Sequence, residues 1–264
     1  MMNMIRADLY FLTRGKGIYI TFGIILAINA LLIFLLGPDA DGNTMINGVP
    51  IPYMGETIDG VTSLSLLYMT TNMTSILLMV LVLLAVSPMF INGTVKNDLA
   101  WGVSRINLYL SKLVVSLGLC VAMLAFYMVA GFLMATLVNG FGGPAPEGLW
   151  LTMFQSLGTQ LWMFFALTAI LVFLVFVTKR EGVVIVAFIF GAMIPQILFL
   201  ILNDIGVRIP NWLLYIDVGS SINRLAVLEL LETRSILIIL TTGAVYFLAT
   251  TIGGIAWFRK GSVK

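Results

Sequence analysis

The side chains that most often carry out chemistry are scarce in this chain of 264 residues. It contains no histidine and a single cysteine, Cys120. Histidine is the commonest general base near neutral pH and the commonest metal ligand, so its absence excludes a Ser-His-Asp triad and histidine-bound zinc. The pair Gly15-Lys16 is not part of a phosphate-binding loop, because Tyr10 stands where the leading glycine belongs. We therefore predict no catalytic residue, metal or cofactor in this chain by itself.

The composition indicates a membrane protein. Hydrophobic residues make up 60% of the chain and charged residues only 10%, with a mean hydropathy of +1.08. A soluble domain carries about 25% charged residues. The deficit leaves too little polar surface to cover a water-facing globule, so the bilayer must be much of the solvent.

Six apolar stretches are long enough to cross a bilayer, which takes about 20 residues per helix. They occupy residues 17–36, 73–91, 113–137, 150–178, 183–202 and 235–258. The second could begin as early as Leu64, and Pro195 should kink the fifth. A signal peptide is the alternative for the first, but its apolar core exceeds the usual length of about 7–15 residues. We predict an all-α polytopic membrane fold with one transmembrane domain over residues 1–264.

The polar side chains inside these stretches are uncharged. They include Asn29, Gln155, Gln160 and Gln196. Each has two interpretations, as lining for the polar face of a substrate or as a hydrogen bond between helices. The absence of ionisable groups argues against a proton-coupled transporter or a pump with its own ion site. If ATP drives this protein, another subunit must bind it.

The charged residues sort by side if the six spans alternate in direction. One side receives eleven basic and three acidic residues, and the other receives three basic and nine acidic residues. We call these the basic side and the acidic side. Because Lys and Arg accumulate in short cytoplasmic loops, the basic side, with both termini, is predicted to be cytoplasmic. The segment 203–234 is then predicted to be extracellular.

Residues 1–16 are predicted to form an amphipathic helix in the headgroup plane of the basic side. The apolar sector of this helix consists of Met1, Met2, Ile5, Leu9 and Leu12. A frayed tail is the alternative.

The connector 92–107, between the second and third stretches, carries the most specific pattern. Written as a helix, it has one apolar row and one row able to form hydrogen bonds. The rows are Val95, Leu99 and Val103, and Asp98, Trp101 and Arg105. Such a helix could fill a groove on a partner protein. A membrane-surface loop without a partner is the alternative.

This connector resembles the corresponding segment of ABC type-2 permeases, the membrane subunits of ATP-driven exporters. The likeness rests on Asn-Gly-Thr-Val-Lys-Asn at 92–97, Gly-Val-Ser-Arg at 102–105 and Tyr-Leu-Ser-Lys at 109–112. It is strongest toward permeases that export bacitracin, lantibiotics and amphipathic peptide toxins such as phenol-soluble modulins. The six-span layout is also similar over the whole chain.

The resemblance implies that the connector is a coupling helix on a separate cytoplasmic ATPase subunit, which would bind ATP and Mg. The residues for that contact would be Asn97, Asp98, Trp101, Gly102, Ser104 and Arg105. Two permease chains, identical or homologous, would each carry one ATPase subunit in a bacterial cell membrane, surrounded by membrane lipids and without a nucleic-acid partner. The cargo would be a hydrophobic or amphipathic peptide, such as a toxin or an antimicrobial peptide.

Two other functions stay open on the sequence. The chain could belong to a peptide-sensing or immunity complex that binds a peptide without moving it, and transport measured in sealed vesicles would separate this case. It could also be a channel or carrier acting alone, which predicts flux without ATP.

Overall fold

The computed structural model describes residues 2–35, 45–46, 49–50, 58–145, 147–205, 211–226 and 233–260. Nearly all of this part of the chain is helical, which confirms the all-α fold. The helices are α1 (Met2–Arg14), α2 (Lys16–Leu35), α3 (Gly60–Thr70), α4 (Ser75–Val86), α5 (Pro88–Ile91), α6 (Thr94–Ala100), α7 (Arg105–Asn139), α8 (Leu149–Thr178), α9 (Glu181–Phe188), α10 (Ile194–Asp204), α11 (Asn211–Ile216), α12 (Val218–Leu225) and α13 (Thr233–Lys260). Two strands of two residues each, β1 (Met45–Ile46) and β2 (Val49–Pro50), follow α2 and pair antiparallel.

Within the described residues, six helical segments are long and apolar enough to cross a membrane, so the protein is a multi-pass membrane protein. They are Lys16–Phe34, Gly60–Ile91, Arg105–Asn139, Leu149–Thr178, Glu181–Phe199 and Thr233–Lys260. We number these spans one to six. The count and order agree with the six apolar stretches of the sequence.

Span two begins at Gly60, earlier than the sequence predicts. Hydroxyl residues dilute its apolar pattern there, but their hydroxyls bond within the helix. Ser63 Oγ donates to the Gly60 carbonyl at 2.7 Å, and Thr70 Oγ1 donates to the Leu66 carbonyl at 2.7 Å. A satisfied hydroxyl costs little to bury, so helix formation continues through the segment.

Span two is also irregular near its middle. Residues Thr71–Thr74 form a 3-10 turn between α3 and α4. Short 3-10 stretches inside a longer helix often mark a hinge. This one lies beside the polar side chains described below.

The start of span two meets the end of span three on the acidic side. The backbone N–H groups of Gly60 and Val61 donate to the carbonyls of Gly140 and Phe141 at 3.0 and 3.2 Å. Asp59 caps α3 by accepting from the Thr62 backbone N–H at 2.8 Å. The start of span two and the end of span three, which the charge pattern assigns to the same side, therefore lie next to each other.

The core lies around α7 and α8, whose side chains pack against most other spans. On the basic side, Phe176 forms the centre of an edge-to-face aromatic group with Phe90, Tyr109 and Phe258 at centroid distances of 4.7–5.3 Å. A Cβ at Gly254 of span six would overlap the Tyr109 side chain. This glycine therefore permits the close approach of spans three and six.

Pro195 disturbs span five, as expected, through a π-helical turn at Ile189–Met193 between α9 and α10. Proline lacks an N–H, and its ring crowds the carbonyl four residues earlier. A wider turn at this point removes that conflict and keeps the span continuous.

The helix α1 forms where the amphipathic pattern predicts it, and the face that packs against the protein overlaps the predicted apolar sector at Ile5 and Leu12. Leu12 is buried and Met4, Ile5 and Asp8 are half-buried, whereas Leu9 is exposed. The same face carries Asp8, which forms an ion pair with Lys112. Apolar packing and this ion pair therefore both hold α1 against the protein.

The segment between spans five and six is not a simple surface connector. Its helix α12 has an N-cap at Asp217 and buries most of its residues against α8 and neighbouring elements. The helix α12 is therefore part of the packed body of the protein.

Candidate functional site

The helix α6 is a short cross-piece between two tight turns. Gly93 and Gly102, on either side of it, have φ values of 67° and 82°, which non-glycine residues adopt only with strain. Val95 holds the helix to the body of the protein with an exposed fraction of 2%. The sequence therefore builds a fixed helix that projects one face from the basic side.

The exposed surface of α6 and of the turn that follows it contains part of the predicted partner contact. Asn97, Trp101, Gly102 and Ser104 are exposed, and the exposed fraction of Trp101 is 88%. A tryptophan is rarely left so open, because burying its ring gives a large hydrophobic gain. Trp101 is the strongest single indication of a binding surface on this side.

Two of the predicted contact residues are engaged within the protein. Ser104 caps α7, since its Oγ accepts from the Asn107 backbone N–H at 3.2 Å. Arg105 Nη1 donates to the carbonyls of Phe258 and Arg259 at 3.0 and 3.1 Å. These carbonyls lie in the last turn of α13, where carbonyls lack helical partners and a cation is favoured.

Arg105 therefore joins the connector to span six. Asp98, the remaining predicted contact, is half-buried and lines a cavity toward α1. The structure thus separates the six residues into an outward face and an inner set of joints. The sequence showed the rows of the helix, but not which spans lie beneath them.

A second joint connects α1 to span three. Lys112 Nζ donates to Asp8 Oδ1 at 2.7 Å and to the Ala85 carbonyl at 3.2 Å. The Lys112 side chain is only 9% exposed, and an ammonium buried so deeply requires such partners. On the basic side, Lys112 therefore links α7 to α1, and Arg105 links α7 to α13.

Inside the bundle, uncharged polar side chains form a hydrogen-bonded layer that we call the polar belt. Its members are Asn29, Thr70, Thr71, Asn72, Tyr127, Ser156, Gln160, Gln196 and Asn223. They come from spans one to five and from α12. Pairing of this kind is how polar groups are satisfied in a low-dielectric interior.

Gln160 is at the centre of the polar belt, with an exposed fraction of 1%. Its Nε2 donates to the Tyr68 carbonyl at 3.1 Å and to Ser156 Oγ at 3.0 Å, and its Oε1 accepts from Thr71 Oγ1. Ser156 Oγ donates in turn to the Leu225 carbonyl at 2.9 Å. One side chain thus ties spans two and four to the end of α12.

Gln196 forms the other junction with α12. Its Oε1 accepts from Asn72 Nδ2 at 3.0 Å and from Asn223 Nδ2 at 3.5 Å. Its Nε2 donates to the Ala192 carbonyl at 2.8 Å, inside the π-helical turn. A Cβ at Gly219 would overlap this amide, so a larger residue at this position of α12 would displace the Gln196 side chain.

Of the four polar residues predicted inside the spans, three belong to the polar belt and one does not. Gln160 and Gln196 belong to the polar belt, and so does Asn29, which donates to the Tyr127 carbonyl at 3.1 Å. Gln155 lies apart on the exposed surface of α8. Asn29 and Gln160 are fully buried, so in this conformation they serve as interhelical bonds.

Titratable chemistry is sparse around these features. Burial raises the pKa of the Asp217 carboxyl above its ordinary value, although hydrogen bonds from Ser220 oppose the shift. Among the described residues, no three side chains of the metal-binding types come together.

Comparison with models of known protein families, with curated proteins and with solved structures gives no match for this chain.

Proposed function

We propose that this protein is the membrane-spanning permease subunit of an ATP-driven ABC exporter. The observation that carries the proposal is the projecting helix α6, with Trp101 exposed on a segment that is fixed at both ends. An exposed tryptophan at the centre of a protein interface is a typical hot spot. The partner would be a cytoplasmic ATPase subunit, bound to ATP and Mg, below each of two permease chains.

Force applied to α6 has a direct route into the spans. Arg105 joins the end of the connector to α13 through two backbone carbonyls, and the Asp8–Lys112 pair joins α1 to α7. A partner can shift a conformational equilibrium only through contacts that differ in energy between the two states. Because the segment after α6 leads directly into α7, and α7 is bonded to α1 and α13, a movement of α6 would pass into these spans.

The cargo we propose is a hydrophobic or amphipathic peptide. A groove of about 580 Å³ lies between α3, α7 and α8 and is lined by apolar side chains. Its lining includes Leu64, Met128, Phe132, Trp150 and Phe154. Methionine and aromatic side chains repack around varied apolar shapes. Such a surface suits the apolar face of a peptide and offers nothing to a hydrophilic solute.

The proposed location is the cell membrane of a bacterium, with both termini in the cytoplasm. The unequal division of charged residues between the two sides supports this orientation. The ATPase would then meet α6, because the connector lies on the basic side.

The test is recovery of the ATPase with the affinity-tagged chain from its native membranes. Trp101→Ala should lower the recovered ATPase about tenfold or more, since a buried interface tryptophan contributes about 2 kcal/mol or more. Trp150→Ala is the matched control, because Trp150 is also exposed (49%) but lies at the other end of the bundle. Absence of any copurifying ATPase with the unchanged chain would refute the proposal.

A further inference from the structure

The surface of the basic side, from which α6 projects, is strongly cationic. Among the described residues of this side, eight basic side chains are exposed, against one exposed acidic side chain, Glu181. The other two acids are half-buried, since Asp8 pairs with Lys112 and Asp98 lines the cavity toward α1. A surface that approaches α6 therefore meets a positive field.

One of these cations lies on α6 itself. Lys96 is exposed and has no ion-pair partner among the described residues. In a helix of about 3.6 residues per turn, Lys96 and Trp101 lie about 140° apart, with Ala100 and Asn97 between them. Val95 lies on the opposite, buried face. The outward face of α6 therefore presents a cation, two short side chains and an open aromatic ring.

A second cation flanks the other end of the connector. The Arg259 carbonyl accepts from Arg105 Nη1 at 3.1 Å, so the end of α13 lies beside the first residue of α7. The Arg259 side chain is exposed and forms no ion pair within the described part of the chain. A tight turn of three residues separates Trp101 from Arg105. Trp101 therefore lies between Lys96 on one side and Arg259 on the other.

These features define the chemistry of the surface that would fit α6. An apolar pocket is needed to bury the Trp101 ring. Carboxylates are needed at the rim of that pocket, because cations there would face like charges at a cost in binding free energy. The small side chain of Ala100 lets the two surfaces approach closely.

We propose that α6 docks into an apolar groove with an acidic rim, in which one Asp or Glu of the partner pairs with Lys96 and another with Arg259. This inference rests on the proposed exporter function, because the partner is the ATPase subunit. The rim charges steer the ATPase to α6 and fix its orientation, whereas Trp101 is the apolar anchor.

Anionic lipid headgroups are the other surface that a cationic face attracts. A helix that lies on a bilayer turns its apolar row toward the lipid. In α6 this row packs into the protein instead, since Val95 is buried and Leu99 is half-buried against the core. Apart from Trp101, the outward face has no apolar side chain larger than Ala100. The face therefore favours a protein groove over the membrane.

The experiment is recovery of the ATPase with the affinity-tagged full chain in detergent, at about 0.1 M and about 1 M salt. Over this range the Debye length falls from about 10 Å to about 3 Å. Lys96→Glu should lower the recovered ATPase about fivefold at the lower salt concentration, because one attraction at the rim becomes a repulsion. At the higher concentration the difference from the unchanged chain should shrink to within about twofold. Arg259→Glu should behave in the same way.

Two variants serve as controls. Lys96→Gln removes the charge without reversing it and should cause a smaller loss than Lys96→Glu. Arg180→Glu makes the same reversal at another exposed cation of the basic side, on the connector between spans four and five, and should leave recovery within about twofold. A loss that salt diminishes reports charge, because salt does not restore a misfolded chain.

Equal recovery with Lys96→Glu would overturn the proposal, as would a loss that is the same at both salt concentrations or an equal loss with Arg180→Glu. A loss in native membranes that disappears in detergent would assign Lys96 to anionic lipid headgroups and would also overturn it. An ATPase that is recovered regardless of these charges refutes this inference alone. Absence of any ATPase with the unchanged chain refutes the proposed exporter function itself.

Discussion

Replacement of Arg105 by alanine should loosen the end of span six, although Arg105 and its partner Phe258 are 153 positions apart in the chain. Arg105 Nη1 provides donors for two carbonyls of the last turn of α13, those of Phe258 and Arg259. Without it, these carbonyls lose a charge-assisted partner and the C-terminal dipole loses its compensating cation.

The geometry gives the size of the effect on the free energy of local opening in the last turn of α13. A hydrogen bond to a charged group contributes about 1.5–3 kcal/mol when it is well protected. Because one nitrogen of Arg105 donates to both carbonyls, the two contacts count as about one hydrogen bond. Arg105 is half-buried, so solvent screening reduces the contribution of this bond to about 1.5 kcal/mol. Local opening of the last turn should therefore become about tenfold more frequent.

The assay is amide hydrogen exchange of the peptide that covers residues 254–260, in detergent or nanodiscs. Arg105→Ala should raise its exchange rate about tenfold, and Arg105→Lys should give a smaller increase because lysine lacks the planar fork. Arg14→Ala is the control, since Arg14 lies on the same side but stacks on Tyr10 at 4.7 Å. An exchange rate within twofold of the unchanged chain in Arg105→Ala would refute the reasoning.

Three further predictions concern the polar belt and α12. Gln160→Leu should lower the free energy of unfolding by about 1–3 kcal/mol because it leaves several buried groups without their hydrogen-bond partner. Thermal unfolding measures this loss, and Gln155→Leu, a substitution on the exposed surface, should change the unfolding free energy little. Gly219→Ala should lower the free energy of unfolding by about 1–2 kcal/mol because the added Cβ displaces the Gln196 amide. In a Gln196→Ala background the same substitution should cost less, and an equal cost in both backgrounds would exclude the proposed clash. The raised pKa of folded Asp217 means that the native state binds its proton more tightly, so this group's stabilising contribution is present at low pH and is lost as pH rises through the folded pKa. Asp217→Asn, which keeps a good N-cap, should remove that part of the pH dependence of the melting temperature, and identical pH profiles would contradict it.

The number of spans was predictable because a bilayer imposes a simple requirement, an uncharged run of sufficient length. The start of span two was not, because hydropathy counts the hydroxyls of Ser63 and Thr70 as polar even though the helix backbone satisfies them. The π-helical turn before Pro195 was foreseen as a disturbance, but not as this particular geometry.

The site was predictable only in part, because a sequence pattern shows the faces of one helix and not its neighbours. The pattern singles out Asn29, Gln155, Gln160 and Gln196 alike, but it does not show that Gln155 is exposed or which groups on other spans the other three bond. The pattern puts Arg105 on the hydrogen-bonding row of the connector but does not indicate its bonds to carbonyls of span six. The burial of α12 was missed because its Ser, Asn and Asp residues suggest a solvated connector.

The central claim is that α6 is the docking surface for an ATPase, and a photo-crosslinking amino acid at position 101 tests it most directly. Irradiation of intact cells should produce an adduct in which mass spectrometry finds a soluble protein with a phosphate-binding loop. The same amino acid at the position of Trp150 should not produce that adduct. Crosslinks from position 101 to lipids alone would contradict the account.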